Sequence, residues 1–503
     1  MHAKWFIKIL LFFFLITPLL GIGQRITYTE PERDDSRGMA FEIIGKINGN
    51  FLVYKNIRAT HFICVYDDDM KLVAKNNLTF LPDKVLNVDF IAYPDFCYMI
   101  YQYQRRSILK CMAVKFDSKG QQVGDAKLLD TTFIGFFADN KIYNTINSED
   151  KQKIIVYKIQ KKYEKYTYTT VLLNSNLELI KKSRILMQYE ERKNTLSDFY
   201  ADNEGNFIFA IGGKSTNRDF INSLSLITKD AFSDTFNFHN INIGKGYLDE
   251  IKVKVDNINK RYLINSFYYS TKRGDIDGIY TGLWDRNTNS QIIGVVGNFN
   301  DTLKREARNQ GSYKMAFNNF FIKDVILKKD GGFLLTGEDY YTQSRSNPWN
   351  RYDYLYGSPF NNYDYYYSPG YYNPYRYRNL YNANQTRYYY DNIVVLSINK
   401  KGETEWANII HKSQFDDESD RFMSFHLFNA GKIHFLFNES ERKNRVLNDD
   451  TIDADGVITR NPTLKSLDKG YDFMPMYGKQ VGARQVIIPC DYRNFICFAK
   501  IDY

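Results

Sequence analysis

A pair of hairpins recurs along this chain, and the recurrence constrains the fold more than any single residue does. The clearest copy is "FIKDVILKKDGGFLLTGEDYY" (321–341), followed after an interruption by "NIVVLSINKKGETEWANIIH" (392–411). It reads as four strands: strand, Asp-Gly-Gly turn, strand, excursion, strand, Lys-Lys-Gly turn, strand. The glycines supply the positive φ of the tight turns. Weaker copies of the first hairpin begin at Gly45, Ile91, Phe137, Phe199, Lys254, His426 and Pro489. Copies of the second begin at His61, Cys111, Tyr168 and Gly278, with a fainter one at Gly456. With the excursion set aside the period is about 50 residues, the spacing of four-stranded propeller blades.

The middle strands support that reading. Phe333, Leu334 and Leu335 run on without alternation, as do Val394, Val395 and Leu396, which a strand buried on both faces requires. With 41 Tyr, 37 Phe and 44% hydrophobic residues, the chain has ample apolar surface for a core. The expectation is an all-β protein: a single β-propeller of seven or eight four-stranded blades over residues 24–503. The rival is a set of separate sandwiches, but no Pro/Gly/Ser-rich linker divides the repeats. The last hairpin reaches Tyr503 without outer strands, so "RITYTE" (25–30) is the candidate that closes the ring. Helix is expected only around 301–310.

Residues 1–23 read as a secretory signal peptide. Lys4 and Lys8 lead into an apolar run from Ile9 to Leu20, then Gly21 and Gly23 before Gln24. An uncleaved anchor is the alternative, for which the run is short and broken by Pro18. No later stretch is apolar for long enough to span a bilayer, so no membrane span is expected after cleavage. The formal charge of +9 is spread among nearly as many acids, with no basic stripe, so nucleic acid is not an expected partner.

Little points to catalysis, and neither a cofactor nor a metal is expected. The five cysteines lack CxxC spacing; one hairpin would let Cys490 and Cys497 approach each other, with buried free thiols the preferred reading. His426 and His434 flank a turn and read as strand residues rather than ligands. "IGGKST" (211–216) fails as a phosphate loop because Ile208 stands where its first glycine belongs. "DDTIDADG" (449–456) reads as an acidic turn, since Thr451 and Pro462 replace two expected calcium ligands. Paired carboxylates from distant blades remain open, because only geometry reveals them.

The excursion, 342–391, is rich in tyrosine, asparagine, arginine and proline and nearly free of aliphatic side chains. Such a segment is expected to bury no core of its own, to be mobile alone, and to be removable with little change in the thermal transition. It interrupts a blade between its second and third strands, on the propeller face where ligands and partners often dock. Tyr363, Tyr366, Tyr371, Tyr375, Arg376, Arg378 and Tyr388 are the candidate partner-binding residues, because tyrosine and arginine give broad contact at low entropic cost. A tolerated low-complexity insertion is the alternative.

The Asp-Gly-Gly-aromatic hairpin, followed by a strand ending in Gly402, Glu403 and Trp406, resembles the secreted β-propellers of Bacteroidota. The resemblance covers most of the chain but is sharp in one blade. Three triplets, 130–132, 301–303 and 450–452, look like that phylum's periplasmic O-glycosylation motif. A chain ending inside a blade, without a type IX sorting domain, implies retention in the periplasm. One role such a protein fills is that of the Plug subunit of the type IX translocon, although no motif here marks that subunit. The functional expectation is a periplasmic, non-enzymatic interaction scaffold in a cell-envelope complex with a protein partner. A glycan-binding or carbohydrate-active propeller is the alternative.

Overall fold

The computed structural model describes residues 24–503 except 136, 139, 140, 164, 217, 218, 273, 310, 345–348, 357–370, 374–385, 418, 442, 443 and 465–469. Its strands fall into eight antiparallel four-stranded blades among the described residues. The second and third strands of the successive blades are Asn50–Ile57 and Thr60–Tyr66, Phe96–Arg105 and Ile108–Asp117, Lys153–Lys162 and Lys165–Asn174, and Phe207–Lys214 and Ile221–Lys229. They continue as Arg261–Tyr269 and Gly278–Asp285, Phe333–Ser344 and Thr386–Ile398, Ile433–Glu441 and Asn444–Ile452, and Gln485–Tyr492 and Phe495–Asp502. The fourth and fifth blades are joined into one sheet through a single pairing, Ile221 with Leu248.

Alternation along the middle strands explains their unbroken apolar character. In the third blade Ile154 and Val156 pack with Ile100 and Ala113 of the second, while Ile155 and Tyr157 pack with Phe207 and Phe209 of the fourth. Every side chain of the run therefore meets a neighbouring sheet, and none is left for solvent. The same two-sided packing recurs between each successive pair of blades. It also joins the last to the first, where Phe41, Ile43 and Val53 share a cluster with Ile487, Ile496 and Phe498.

Closure is also made by hydrogen bonding. The strand Arg25–Tyr28 pairs with Phe495–Asp502 and supplies the eighth blade with its outermost strand, in register from Arg25 opposite Asp502 to Tyr28 opposite Ala499. Blade turns use glycine where expected: Gly331 and Gly402 have φ of 87° and 82°. Residues 301–310 yield helix α1, Asp301–Ala307, capped by the Asn300 side chain, which accepts from the Leu303 N–H. The insertion of the sixth blade holds helix α2, Arg351–Tyr356. Among the described residues no helix is long and apolar enough to cross a membrane.

All five cysteines are buried and unbridged, with Cys490 and Cys497 directly opposed in register. Of the three triplets, 130–132 and 450–452 lie within strands, and Thr451 is only 2% exposed, so its hydroxyl is closed to modification in the folded chain.

Candidate functional site

Antiparallel order puts the start of each innermost strand, and the connection between second and third strands, on the same face of the ring. The tyrosine-rich insertion leaves the sixth blade on that face. The ladder carries on outward before it does so, pairing Gln343 with Arg387 and Ser344 with Thr386. Tyr388 belongs to this ladder, half-buried and opposite Thr342 and Asp416. Tyr341 and Tyr389 stack across it at 4.5 Å.

Beneath the insertion the face is stitched by polar residues that the apolar runs conceal. Lys55, Gln102, Lys158 and Glu338 each sit on a second strand opposite the start of the innermost one, paired with Phe41, Asn87, Tyr143 and Phe321. Each ties down a segment leading into a blade. Gln102 accepts from the Ile142 and Tyr143 N–H groups, Lys55 holds both oxygens of Asp35 at 2.7 and 2.8 Å, and Lys158 donates to Asp130 at 2.8 Å. Glu338 accepts from Ser424 at 2.6 Å and pairs with Lys412 at 2.8 Å. Burial pushes the Glu338 carboxyl up, but Lys412 and Lys323 outweigh it and hold it below its ordinary value. Asn438 donates to the Phe422 and Phe473 carbonyls in the same way.

At the foot of the insertion the ladder carries a bulge. Glu338 pairs with Ile393 and Tyr340 with Tyr390, so Asp339 on one strand faces Asp391 and Asn392 on the other. Asp339 and Asp391 are each 4% exposed, and one oxygen of each has no hydrogen-bond partner among the described residues. Burial, reinforced by Asp391, pushes the Asp339 carboxyl up to about 8. A proton held by the pair satisfies this arrangement at neutral pH. The surrounding acids are neutralised within the chain: Glu338 by Lys412, and Asp249 by Arg351. Glycoside hydrolysis requires two carboxylates flanking an open bond-breaking position, whereas Asp339 and Asp391 are buried together at the foot of the insertion.

The insertion is held down at two places. Arg351 on α2 is buried and donates through Nε to Asp249 Oδ2 at 2.6 Å and through Nη1 to the Phe320 carbonyl. Its guanidinium lies over Phe321 at 4.1 Å. The Tyr269 hydroxyl donates to the same Asp249 oxygen at 2.5 Å, and the Tyr356 hydroxyl to the Asp249 carbonyl. Lys214 of the fourth blade donates to the Tyr352 hydroxyl and stands 4.1 Å from the Tyr356 ring. Trp349 donates to Asn319 at 2.9 Å and packs edge-on to Tyr340. Helix α2 therefore lies across the fourth, fifth and sixth blades, against Lys214, Asp249 and Phe321.

The second place is Tyr372. It forms a two-hydrogen-bond bridge with Phe41, at 2.9 and 3.0 Å, at the start of the first blade's innermost strand. Its ring, 1% exposed, stacks on Phe41 at 4.9 Å and meets Tyr477 of the eighth blade edge-on at 5.2 Å. Tyr371 turns toward Tyr54, with ring centroids 6.4 Å apart.

The sequence suggested a segment that buries no core of its own, and its described residues bury theirs against the ring. Where it is described, the insertion is part of the ring's packing, because aromatic faces and a buried ion pair replace the aliphatic side chains it lacks. Cutting the whole insertion away is now expected to cost stability, since Asp249 would lose Arg351 in a buried position. Of the candidate residues, Tyr371 is turned inward against the first blade and Tyr388 is a ladder residue. Tyr363, Tyr366, Tyr375, Arg376 and Arg378 lie outside the described residues. Sequence reasoning missed Arg351, Asp249, Tyr372 and the polar clamps. The clamps did leave a signal, one polar residue ending an apolar run in "FLVYK", "YMIYQ", "IIVYK" and "FLFN".

His434 Nδ1 lies 2.9 Å from Asp449, and His426 is half-buried on the adjacent strand. Among the described residues no three His, Cys, Asp or Glu side chains group to hold a metal. Asp453 to Gly456 form a turn in which Asp453 accepts from the Asp455 and Val457 N–H groups.

No protein-family model and no curated protein matches the chain. Solved structures align over most of it at low identity. One, from a structural and mechanistic study of two prolyl endopeptidases, is 8% identical with a TM-score of 0.42, over 92% of this chain and 55% of that one. This chain thus spans little more than half of that protein's length. An uncharacterised protein from Listeria monocytogenes is 9% identical, TM-score 0.36, over 82% and 94% of the two chains. A polysaccharide lyase is 10% identical, TM-score 0.35, over 83% and 89%. At these scores the likenesses carry nothing about substrate or activity, and the fold rests on the strand pairing itself.

Proposed function

We propose that this protein is a non-enzymatic interaction subunit of a cell-envelope assembly, exported to the periplasm. It docks a protein partner on the face that carries the insertion. The observation that supports this reading is the pinning of an aromatic, arginine-bearing segment at two separate places on one ring, across the fourth to sixth blades and at the junction of the eighth with the first. A segment held at both places loses less freedom on binding than an untethered one, so more of its contact energy is realised as affinity. Five of the remaining tyrosines and arginines, Tyr363, Tyr366, Tyr375, Arg376 and Arg378, are the recognition residues on this reading, of the types enriched at binding hot spots.

The test separates recognition from pinning. The full chain and a variant with those five residues changed to serine, with Arg351 and Tyr372 kept, are crosslinked in envelope extracts and purified through a tag. The reading expects one envelope protein captured in near-stoichiometric amount by the parent chain and at least tenfold less by the variant. Equal capture by both, or no stoichiometric partner for the parent, overturns it.

A further inference from the structure

Three neighbouring hairpin tips on the insertion face take no part in the contacts that pin the insertion. They join second to third strands in the first, second and third blades, and are closed by the pairs Ile57 with Thr60, Arg105 with Ile108, and Lys162 with Lys165. Arg58, Arg105, Arg106, Lys162 and Lys165 lie exposed on them, and among the described residues none of the five forms an ion pair. The third tip, "KKYEK" (161–165), holds three lysines against one glutamate, and Lys161 is matched to Glu191. On the opposite face the turns of the same blades carry Asp67, Asp68, Asp69, Asp117, Glu149 and Asp150 against Lys119 and Lys151. Charge in this part of the ring is therefore divided, positive toward the insertion face and negative away from it.

Bare apolar side chains stand among these cations. Phe133 is 73% exposed, Phe137 86%, Tyr163 85% and Ile108 46%. Ile108 and Phe133 are paired across the third and fourth strands of the second blade, and the Ile134 N–H donates to the Ser107 carbonyl at 2.9 Å, so both lie at the Arg105–Arg106 tip. The Ala138 N–H donates to Gln104 Oε1 at 2.8 Å and brings Phe137 to the same tip. Gln160, two residues before Lys162, donates to the Thr132 hydroxyl at 3.2 Å, which joins the second tip to the third. Ile134 and Ala138 turn into the core shared by the two blades, while Phe133 and Phe137 belong to no part of it. Exposed apolar side chains grouped in this way mark an interaction surface.

The combination selects what that surface meets. Cations alone would suit any polyanion, but a soluble polyanion gives three aromatic rings and an isoleucine nothing to enter. An anionic bilayer serves both: its phosphates take the arginines and lysines, and the apolar side chains between them reach the boundary of the acyl chains, the depth at which tyrosine collects in membranes. We propose that the insertion-face tips of the first three blades seat this protein on the surface of an anionic phospholipid bilayer. The surface uses none of the five recognition residues of the insertion, so the two readings stand or fall separately.

The chain from Gln24 onward, freed of the apolar run at 9–20, is sedimented with vesicles of phosphatidylcholine alone and with vesicles in which about one third is phosphatidylglycerol. Binding to the anionic vesicles is expected to be at least tenfold stronger, and to weaken as salt rises from about 0.05 to about 0.5 M. Two variants separate the contributions. Changing Arg105, Arg106, Lys162 and Lys165 together to serine lowers affinity for the anionic vesicles at least tenfold, and changing Phe133 and Phe137 to serine lowers it several-fold. Both alter exposed side chains only, so the thermal transition and partner capture by the insertion stay as in the parent chain. Tyr163→Ser, on the neighbouring blade, decides the apolar contribution if the double phenylalanine variant does not fold. Equal binding to neutral and anionic vesicles overturns the proposal. So does vesicle binding that stays within twofold when the apolar side chains are removed, or binding of soluble heparin without binding of anionic vesicles, either of which would show a polyanion site instead.

Discussion

The seam between the third and fourth blades and the foothold of the insertion on the fifth bury chain by opposite means. In the seam, Phe199, Phe207, Phe209, Tyr157 and Tyr168 interlock with ring centroids 5.0 to 6.3 Å apart, and the stabilisation comes from apolar area removed from water. In the foothold one guanidinium, one carboxylate and three carbonyl or hydroxyl partners are withdrawn together, and each charge is tolerable only while the others stay. The seam is insensitive to which of its rings does most. The foothold is all-or-none. It follows that the ring and the insertion are one packed object that fails in two different ways.

The largest expected effect tests the seam. Phe209→Ala leaves a cavity between two blades and lowers the free energy of unfolding by about 3–5 kcal/mol, seen as a lower denaturant midpoint. Next comes the foothold: Arg351→Ala leaves Asp249 buried and unpaired, at a cost of about 3 kcal/mol or more. That cost appears first as deuterium uptake in 349–356, before the ring opens. Arg351→Lys restores little, because an ammonium cannot reach Asp249 and the Phe320 carbonyl while lying flat on Phe321.

A smaller effect belongs to the bulge. The Asp339 carboxyl titrates ordinarily at 3.8 and in the folded chain at about 8, so the folded form holds this proton more tightly than the unfolded chain. Its contribution to stability is complete below the ordinary value and is lost as pH rises through 8. Asp339→Asn keeps the shape without the titration. The variant is expected to match the parent near pH 4 and to melt about 2 °C or more higher near pH 9, the difference being read by calorimetry. Smallest of all is Tyr354→Ala, at about 1 kcal/mol, since that ring is half exposed where it packs beside Phe321, Tyr340 and Trp349.

The same contrast explains what could be read from the sequence. The seams were legible because two-sided burial leaves a local trace, four or five apolar residues in a row, and because each blade repeats it. The closing strand at Arg25–Tyr28 was legible by subtraction, the last blade lacking an outer strand. The course of the insertion was not. Arg351 and Asp249 are 102 residues apart, and nothing around either marks the other. Tyr372 looks like its many neighbouring tyrosines, and only the ring's geometry makes it the one against Phe41. Composition poor in Leu, Ile and Val suggested a free segment, because aliphatic area is the common means of burial and aromatic stacking with a buried ion pair is the uncommon one.

Native-state hydrogen exchange resolved to single amides addresses the pinning most directly. The Tyr372 N–H, bonded to the Phe41 carbonyl, and the Tyr354 N–H, bonded to the Asn350 carbonyl, are expected to be protected at least a hundredfold over unstructured rates. Protection at Tyr372 should vanish together with that of Phe41 when Tyr372 is changed to alanine. Exchange of both amides at the rate of a free chain, with the ring strands still protected, would show the segment to be unattached and would contradict the account.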